Sequence, residues 1–98
     1  MVEKNIKMGI AWYKPEQWER LREISIDRKD IEFTYTEWLA NAQRALQQIL
    51  FSGQPAQKVE VDVEELFSWC KSIGLEVNGK SRSAFAAEKL RQQDIVGG

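Results

Sequence analysis

Apolar residues run together at Ile10, Ala11, Trp12 and Tyr13, then recur at helical spacing from Trp18 onward. The first run is rich in β-branched and aromatic side chains and does not alternate, which predicts a strand over residues 5–13 covered on both faces. Lys14-Pro15 opens a helix, because proline at the first helical position forfeits no needed N–H and carries the right φ. Trp18, Leu21 and Ile24 form its stripe, with Glu16 and Glu19 at the positive end of its dipole. Asp27-Arg28-Lys29-Asp30 reads as a solvated connection.

The longest pattern predicts a helix that starts at Thr34, whose spacing to Glu37 has the form of a capping box. Tyr35, Trp38, Leu39, Ala42, Ala45, Leu46, Ile49 and Leu50 fall within an arc of about 140° at the helical period. Gly53 stands where a glycine stop belongs, and Pro55 forbids continuation. Residues 58–62, Lys-Val-Glu-Val-Asp, alternate and read as a second strand. Asp62 then caps a third helix, with Glu65 completing a box and Val63, Leu66, Phe67, Trp69, Cys70 and Ile73 as the apolar face. Gly74-Leu75 has the form of a Schellman stop, and Asn78-Gly79 is a turn signal. A final helix is predicted from Lys80 to Gln93 on Ala84, Phe85, Ala86, Ala87 and Leu90, although Arg82 and Lys89 share the side of Phe85 and Ala86.

The order β-α-α-β-α-α over 98 residues predicts one α+β domain, residues 1–98, with a small two-stranded sheet packed on helices and residues 1–4 and 94–98 frayed. With a reversal at every connection, the second strand runs antiparallel beside the first. A lone two-stranded sheet is marginal in water and leaves its edges open. Pairing across a dyad into four strands would remove one edge per subunit, so a homodimer is expected.

Hydrophobic residues at 43% and charged ones at 30% are a globular composition. A net charge of -1 removes the bulk electrostatic footprint of a dedicated nucleic-acid binder. The absence of histidine excludes imidazole metal sites, His-based triads and a His pH switch, and one cysteine excludes an internal disulfide. No apolar run approaches the ~20 residues of a membrane span, and the charged start is unlike a signal peptide, so a cytoplasmic protein without a membrane partner is expected.

Each chemical candidate has a structural explanation. Asp62 stands between a strand and a helix, a common place for catalytic aspartates, yet capping needs the same residue there. Cys70 lies on the core face of its helix with no base to activate it and reads as a small buried hydrophobe. Asp27, Asp30 and Glu32 are interleaved with Arg28 and Lys29, which oppose cation binding, while Asp62, Glu64 and Glu65 suit a helix start. No catalytic constellation, metal set or cofactor motif emerges, and a non-enzymatic protein is expected. Trp12, Tyr13, Trp18, Tyr35 and Trp38 gather around the first strand and the two helices after it. Strand alternation sets Trp12 and Tyr13 on opposite faces, so one of them is expected as an exposed anchor. Trp12, Tyr13 and Trp18, rimmed by Arg20 and Arg22, are therefore the candidates for a protein contact.

Three resemblances add to this reading. The terminal Gly97-Gly98 is similar to the tail of ubiquitin-like modifiers and sulfur carriers, which implies a β-grasp fold of several strands where this chain offers two. Leu66 to Leu90, with Trp69-Cys70 before Gly74 and then Lys80-Ser81-Arg82, resembles the helix–extended-loop–helix DNA-binding module of actinobacterial nucleoid-associated proteins. That resemblance implies a loop reaching into the minor groove, with Lys80, Arg82, Lys89 and Arg91 as nucleic-acid candidates. In that module the loop carries Arg-Gly-Arg; here serine replaces the central glycine and lysine the first arginine, which obstructs the backbone's approach and removes a planar fork. Lys80 and Arg91 also align nearly opposite Arg82 and Lys89, so no single basic stripe forms. Over most of its length, through Ile10-Ala11-Trp12-Tyr13, Glu37-Trp38-Leu39, Asp62-Val63 and Trp69-Cys70, the chain resembles small bacterial proteins with no known activity, which implies a bacterial cytoplasmic origin. The expectation is a small self-associating interaction module, with nucleic-acid binding through residues 63–93 as the alternative.

Overall fold

A computed structural model describes the backbone of residues 7–97 and the side chains of residues 7–93. Strand β1 (Met8–Trp12) leads through a 3-10 turn at Pro15–Gln17 into α1 (Trp18–Ile24). A second 3-10 turn at Arg28–Asp30 precedes α2 (Tyr35–Phe51), followed by β2 (Ala56–Glu60), α3 (Val63–Ser72) and α4 (Gly79–Gly97). This is the expected α+β order with a two-stranded sheet. The expected strand residues 5 and 6, the fraying of residues 1–4 and the terminal Gly98 lie outside the described residues. Helix α4 carries helical backbone to Gly97, past the expected end at Gln93.

The strands are parallel, with Met8 opposite Ala56 and Trp12 opposite Glu60. The antiparallel expectation fails because the chain reverses twice between them, into α2 and out of it, and not at every connection. Tyr35 Oη, in the first turn of α2, donates to the Tyr13 carbonyl at 2.9 Å, just past the end of β1. At the other end, the Met8 N–H donates to the Pro55 carbonyl at 2.9 Å. Helix α2, about 25 Å long at 1.5 Å per residue, is thus the whole return path of a β-α-β crossover. The short α1 sits beyond the strand ends and makes no return. Strand β2 also lies two residues earlier than expected, since Asp62 leaves the sheet to cap α3.

Local chemistry explains the helix ends. Thr34 Oγ1 accepts from the Glu37 N–H at 3.1 Å, and Glu37 Oε1 accepts from the Thr34 N–H at 3.4 Å. Asp62 Oδ1 accepts from the Glu65 N–H at 3.0 Å, but the Glu65 carboxylate turns to Lys89 Nζ at 3.2 Å and completes no box. Gln17 Oε1 instead satisfies the Val63 N–H at 2.9 Å. Gly74, at φ 75, supplies the left-handed residue of the Schellman stop, in which the Leu75 N–H reaches the Cys70 carbonyl at 2.8 Å. Asn78 does more than turn the chain: Asn78 Oδ1 accepts from the Ser81 N–H at 3.0 Å, and Ser81 Oγ accepts from the Asn78 N–H at 2.9 Å. That reciprocal pair caps α4.

Helix α4 covers one face of the sheet. A Cβ at Gly9 would lie 3.1 Å from the Ala86 carbonyl oxygen and 3.3 Å from Val59 Cγ2, so the helix backbone crosses the strand where glycine leaves room. Val59, Ala86 and Leu90 are buried at this crossing. The larger core joins Tyr13, Trp18, Leu21 and Val61 to Val63, Leu66, Cys70, Val77 and Phe85. Cys70 is therefore a packing residue, as expected. Gly9→Ala should lower stability by about 1 kcal/mol through overpacking, read as a lower urea midpoint with unchanged slope. An unchanged midpoint would mean that α4 can shift freely on the sheet.

Candidate interaction surfaces

The aromatic residues singled out from the sequence do gather, with Trp38 at their centre. Its ring centroid lies 5.2 Å from that of Trp12, and 5.3 Å from those of Tyr13, Trp18 and Tyr35. Two of the expected contact residues are core instead: Trp18 is 3% exposed and Tyr13 6%. Trp12 and Tyr13 do not diverge across a sheet, because β1 ends at Trp12 and alternation no longer governs the next side chain. Both rings reach Trp38. Trp12 remains half-buried, with Lys58 Nζ 4.5 Å from its ring centroid. Burial pushes the Tyr13 phenol up to about 12.

Arg20 and Arg22 make other contacts than the expected rim. Arg20 Nε pairs with Glu64 at 2.7 Å and its Nη1 with Glu23 at 3.0 Å, while its guanidinium lies 5.2 Å from the Phe67 ring centroid. It fastens α1 to α3. The Arg22 guanidinium lies 4.9 Å from the ring centroid of the exposed Phe33.

The acidic connection is not a free loop. Asp27 takes a bidentate contact from Arg82, at 2.8 and 2.9 Å, and Asp27 Oδ2 accepts from the Gly79 N–H at 3.1 Å. Arg82 also donates to Ser25 Oγ at 3.1 Å. The hydrogen bonds from Arg82 hold the Asp27 carboxyl below its usual range. This latch ties the segment after α1 to the start of α4, and it engages one of the four nucleic-acid candidates. Lys89 pairs with Glu65 and Arg91 with Glu88, which leaves Lys80 exposed at the head of α4. Among the described residues these cations form no continuous basic face. Asp62 acts as a cap, its carboxyl held below the usual range chiefly by the Glu65 N–H.

The apolar stripe of α2 is legible in the sequence, but α2 contains no fully buried residue. The stripe is half-covered near Tyr35 and Trp38 and opens at Leu50, which is 48% exposed, while Phe51, about 100° further round the last turn and off the stripe, is 94% exposed. Met8, 45% exposed, stands at the same end of the molecule, tied to Pro55 through its N–H. No charged side chain occurs between Arg44 and Lys58. That gap, in a chain with 30% charged residues, was the available signal for an apolar surface rather than a solvated helix tip.

A second feature lies on the other flank of α2. A groove of about 330 Å³ runs between α2 and the segment Asp30–Glu32. Trp18, Trp38, Ile31 and Ala42 line it, the two indoles tilted 32° to one another, and Asp30 and Glu32 contribute carboxylates. Glu32 accepts from Asn41 at 2.9 Å. The Trp18 indole N–H is buried with no acceptor among the described residues. A broader depression of about 600 Å³ along α1 is lined by Glu16, Glu19, Arg20, Arg22, Glu23 and Arg28 and has no aromatic floor.

No helix among the described residues is long and apolar enough to cross a membrane. No family model, curated protein or solved structure matches the chain.

Proposed function

We propose that this protein is a non-enzymatic interaction module of the bacterial cytoplasm that associates with itself through the open face and tip of α2. One observation carries the reading: a 17-residue helix with a continuous apolar stripe contains no buried residue and ends in a phenylalanine 94% exposed. Helices in water are held mainly by packing of such a face, and large exposed apolar patches on small proteins mark contact sites. A second copy is the partner that fits best. The span from Ala45 to Gln57 is uncharged, so two copies can meet there without like-charge repulsion, and a net charge of -1 adds little elsewhere. A stable contact needs about 800 Å² per partner, which the tip reaches only together with the flank of α2 and the neighbouring sheet edge. Among the described residues each strand of the two-stranded sheet has one edge paired to no other strand, which favours the same association.

In sedimentation velocity the protein should run as a dimer at tens of micromolar. Changing Leu50 and Phe51 together to glutamate should weaken association at least about thirtyfold, with far-UV dichroism unchanged, because each change removes an apolar anchor and adds a charge. A monomeric wild type at several hundred micromolar, or a double variant that associates equally well, contradicts the reading.

A further inference from the structure

We propose that Asn78-Gly79, at the head of α4, is a site of spontaneous deamidation gated by the Asp27–Arg82 latch. The proposal goes beyond self-association and uses none of its residues. An asparagine followed by glycine is prone to this reaction, because the attacking backbone nitrogen has no neighbouring Cβ to crowd its approach. The chain contains Asn5, Asn41 and Asn78, and only Asn78 precedes glycine.

Three observations converge on this site. First, the fold does not call for glycine at 79. Gly9 makes room for the α4 backbone, and Gly53 and Gly74 take left-handed φ values of 95 and 75. Gly79 has no positive φ, and a Cβ there would meet its nearest neighbours at 3.8 and 3.9 Å, an ordinary contact. Alanine fits the space and is the better helix former. Second, the electrophile is prepared. Asn78 Oδ1 accepts from the Ser81 N–H at 3.0 Å, at the start of a 19-residue helix. Attack at Asn78 Cγ places negative charge on Oδ1, and a backbone donor at a helix N-terminus stabilises such charge. Third, the nucleophile is restrained. The Gly79 N–H donates to Asp27 Oδ2 at 3.1 Å, and Arg82 holds that carboxylate through bonds of 2.8 and 2.9 Å. A carboxylate against the N–H opposes its ionisation and keeps the nitrogen turned toward Asp27.

When the latch opens, the Gly79 N–H gives its proton to solvent base and the nitrogen bonds to Asn78 Cγ. The Cγ–Nδ2 bond breaks, and Nδ2 takes a proton and leaves as ammonia, which closes a five-membered succinimide. Water opens the ring at Cγ, giving aspartate, or at the main-chain carbonyl carbon of residue 78, giving an isoaspartyl linkage. Gly79 is exposed and Asn78 half-buried, so water has access. One water is consumed and one ammonia released, with no redox change. The aspartate product sets a second carboxylate beside Asp27, and the isoaspartyl product lengthens the main chain by one methylene at the 78–81 cap. Both weaken the latch, so modification makes its opening one-way.

The test incubates the full-length protein in mildly alkaline buffer and follows residue 78 by peptide mass spectrometry, where conversion adds about 1 Da. Native wild type should convert at least about a hundredfold more slowly than the same chain unfolded in urea. Asp27→Ala should convert at least about tenfold faster than wild type brought to the same global stability with urea, because the opening is local. Asp27→Asn, which keeps an acceptor and the packing, should fall between them. Gly79→Ala should slow the unfolded chain at least about tenfold, which places the attack at that nitrogen. The proposal is overturned if native and unfolded wild type convert equally fast. It is also overturned if both Asp27 variants match wild type of equal stability, or if the ammonia is lost from Asn5 or Asn41 instead.

Discussion

Asp27→Ala should lower the free energy of unfolding by about 3 kcal/mol, one of the two largest effects expected from a single ionisable group here. The substitution removes the bidentate partner of Arg82 and the acceptor of the Gly79 N–H together. It leaves a shielded guanidinium with Ser25 Oγ as its remaining side-chain contact. For a chain of this size the loss corresponds to roughly 12–24 °C in melting temperature. Arg82→Ala should cost less, about 2 kcal/mol, because Asp27 still caps α4 and faces solvent more easily. The pH dependence has a definite sign. Asp27 has a folded-state pKa below its ordinary 3.8, so its stabilisation is present above that value and is lost as pH falls through the folded one. The gap between wild type and Asp27→Ala should therefore close in acid below about pH 4, measured by urea denaturation at a series of pH values. A gap independent of pH would show that the carboxylate contributes shape rather than charge.

Tyr13 carries the second large effect, at the opposite end of the scale. Burial raises its phenol from 10.0 to about 12, so the unfolded chain releases the proton first. Stability from this group is complete below pH 10 and is lost as pH climbs toward 12. At 1.36 kcal/mol per unit, the full loss is about 3 kcal/mol. Tyr13→Phe removes the ionisable group while keeping the ring against Trp38, and should flatten this part of the alkaline stability curve. Equal alkaline slopes for wild type and variant would assign the loss to other groups.

These two residues also show where reading the chain stopped short. Asp27 is one of three acidic residues among five charges within six positions, Asp27 to Glu32, and nothing local distinguishes it from Asp30. Its partner is 55 residues away. Tyr13 follows Trp12 in an apolar run, so period-two alternation suggested that one of the two faces outward, whereas the end of the strand freed the Tyr13 side chain to turn inward beside Trp38. The groove depends on the same long-range meeting: Asp30 and Glu32 were visible as carboxylates and Trp18 and Trp38 as core aromatics, and only the fold sets them side by side. Strand direction was missed because it depends on how many connections actually reverse the chain, which is a matter of element length and packing.

What the residues decide without help from the fold is local. Capping at Thr34 and Asp62, the glycine stop at Gly74, the two strand segments and the burial of Cys70 follow from contacts within a few positions or from side-chain periodicity. Such interactions depend on spacing along one element, and spacing is written in the chain. The parallel sheet, the Asp27–Arg82 latch, the inward turn of Tyr13 and the uncovered face of α2 were decided by tertiary structure. Each depends on which surfaces of distant elements compete for the same neighbour. An amphipathic stripe states that a helix wants a partner, and only the packed chain shows that the fold leaves part of that demand unmet.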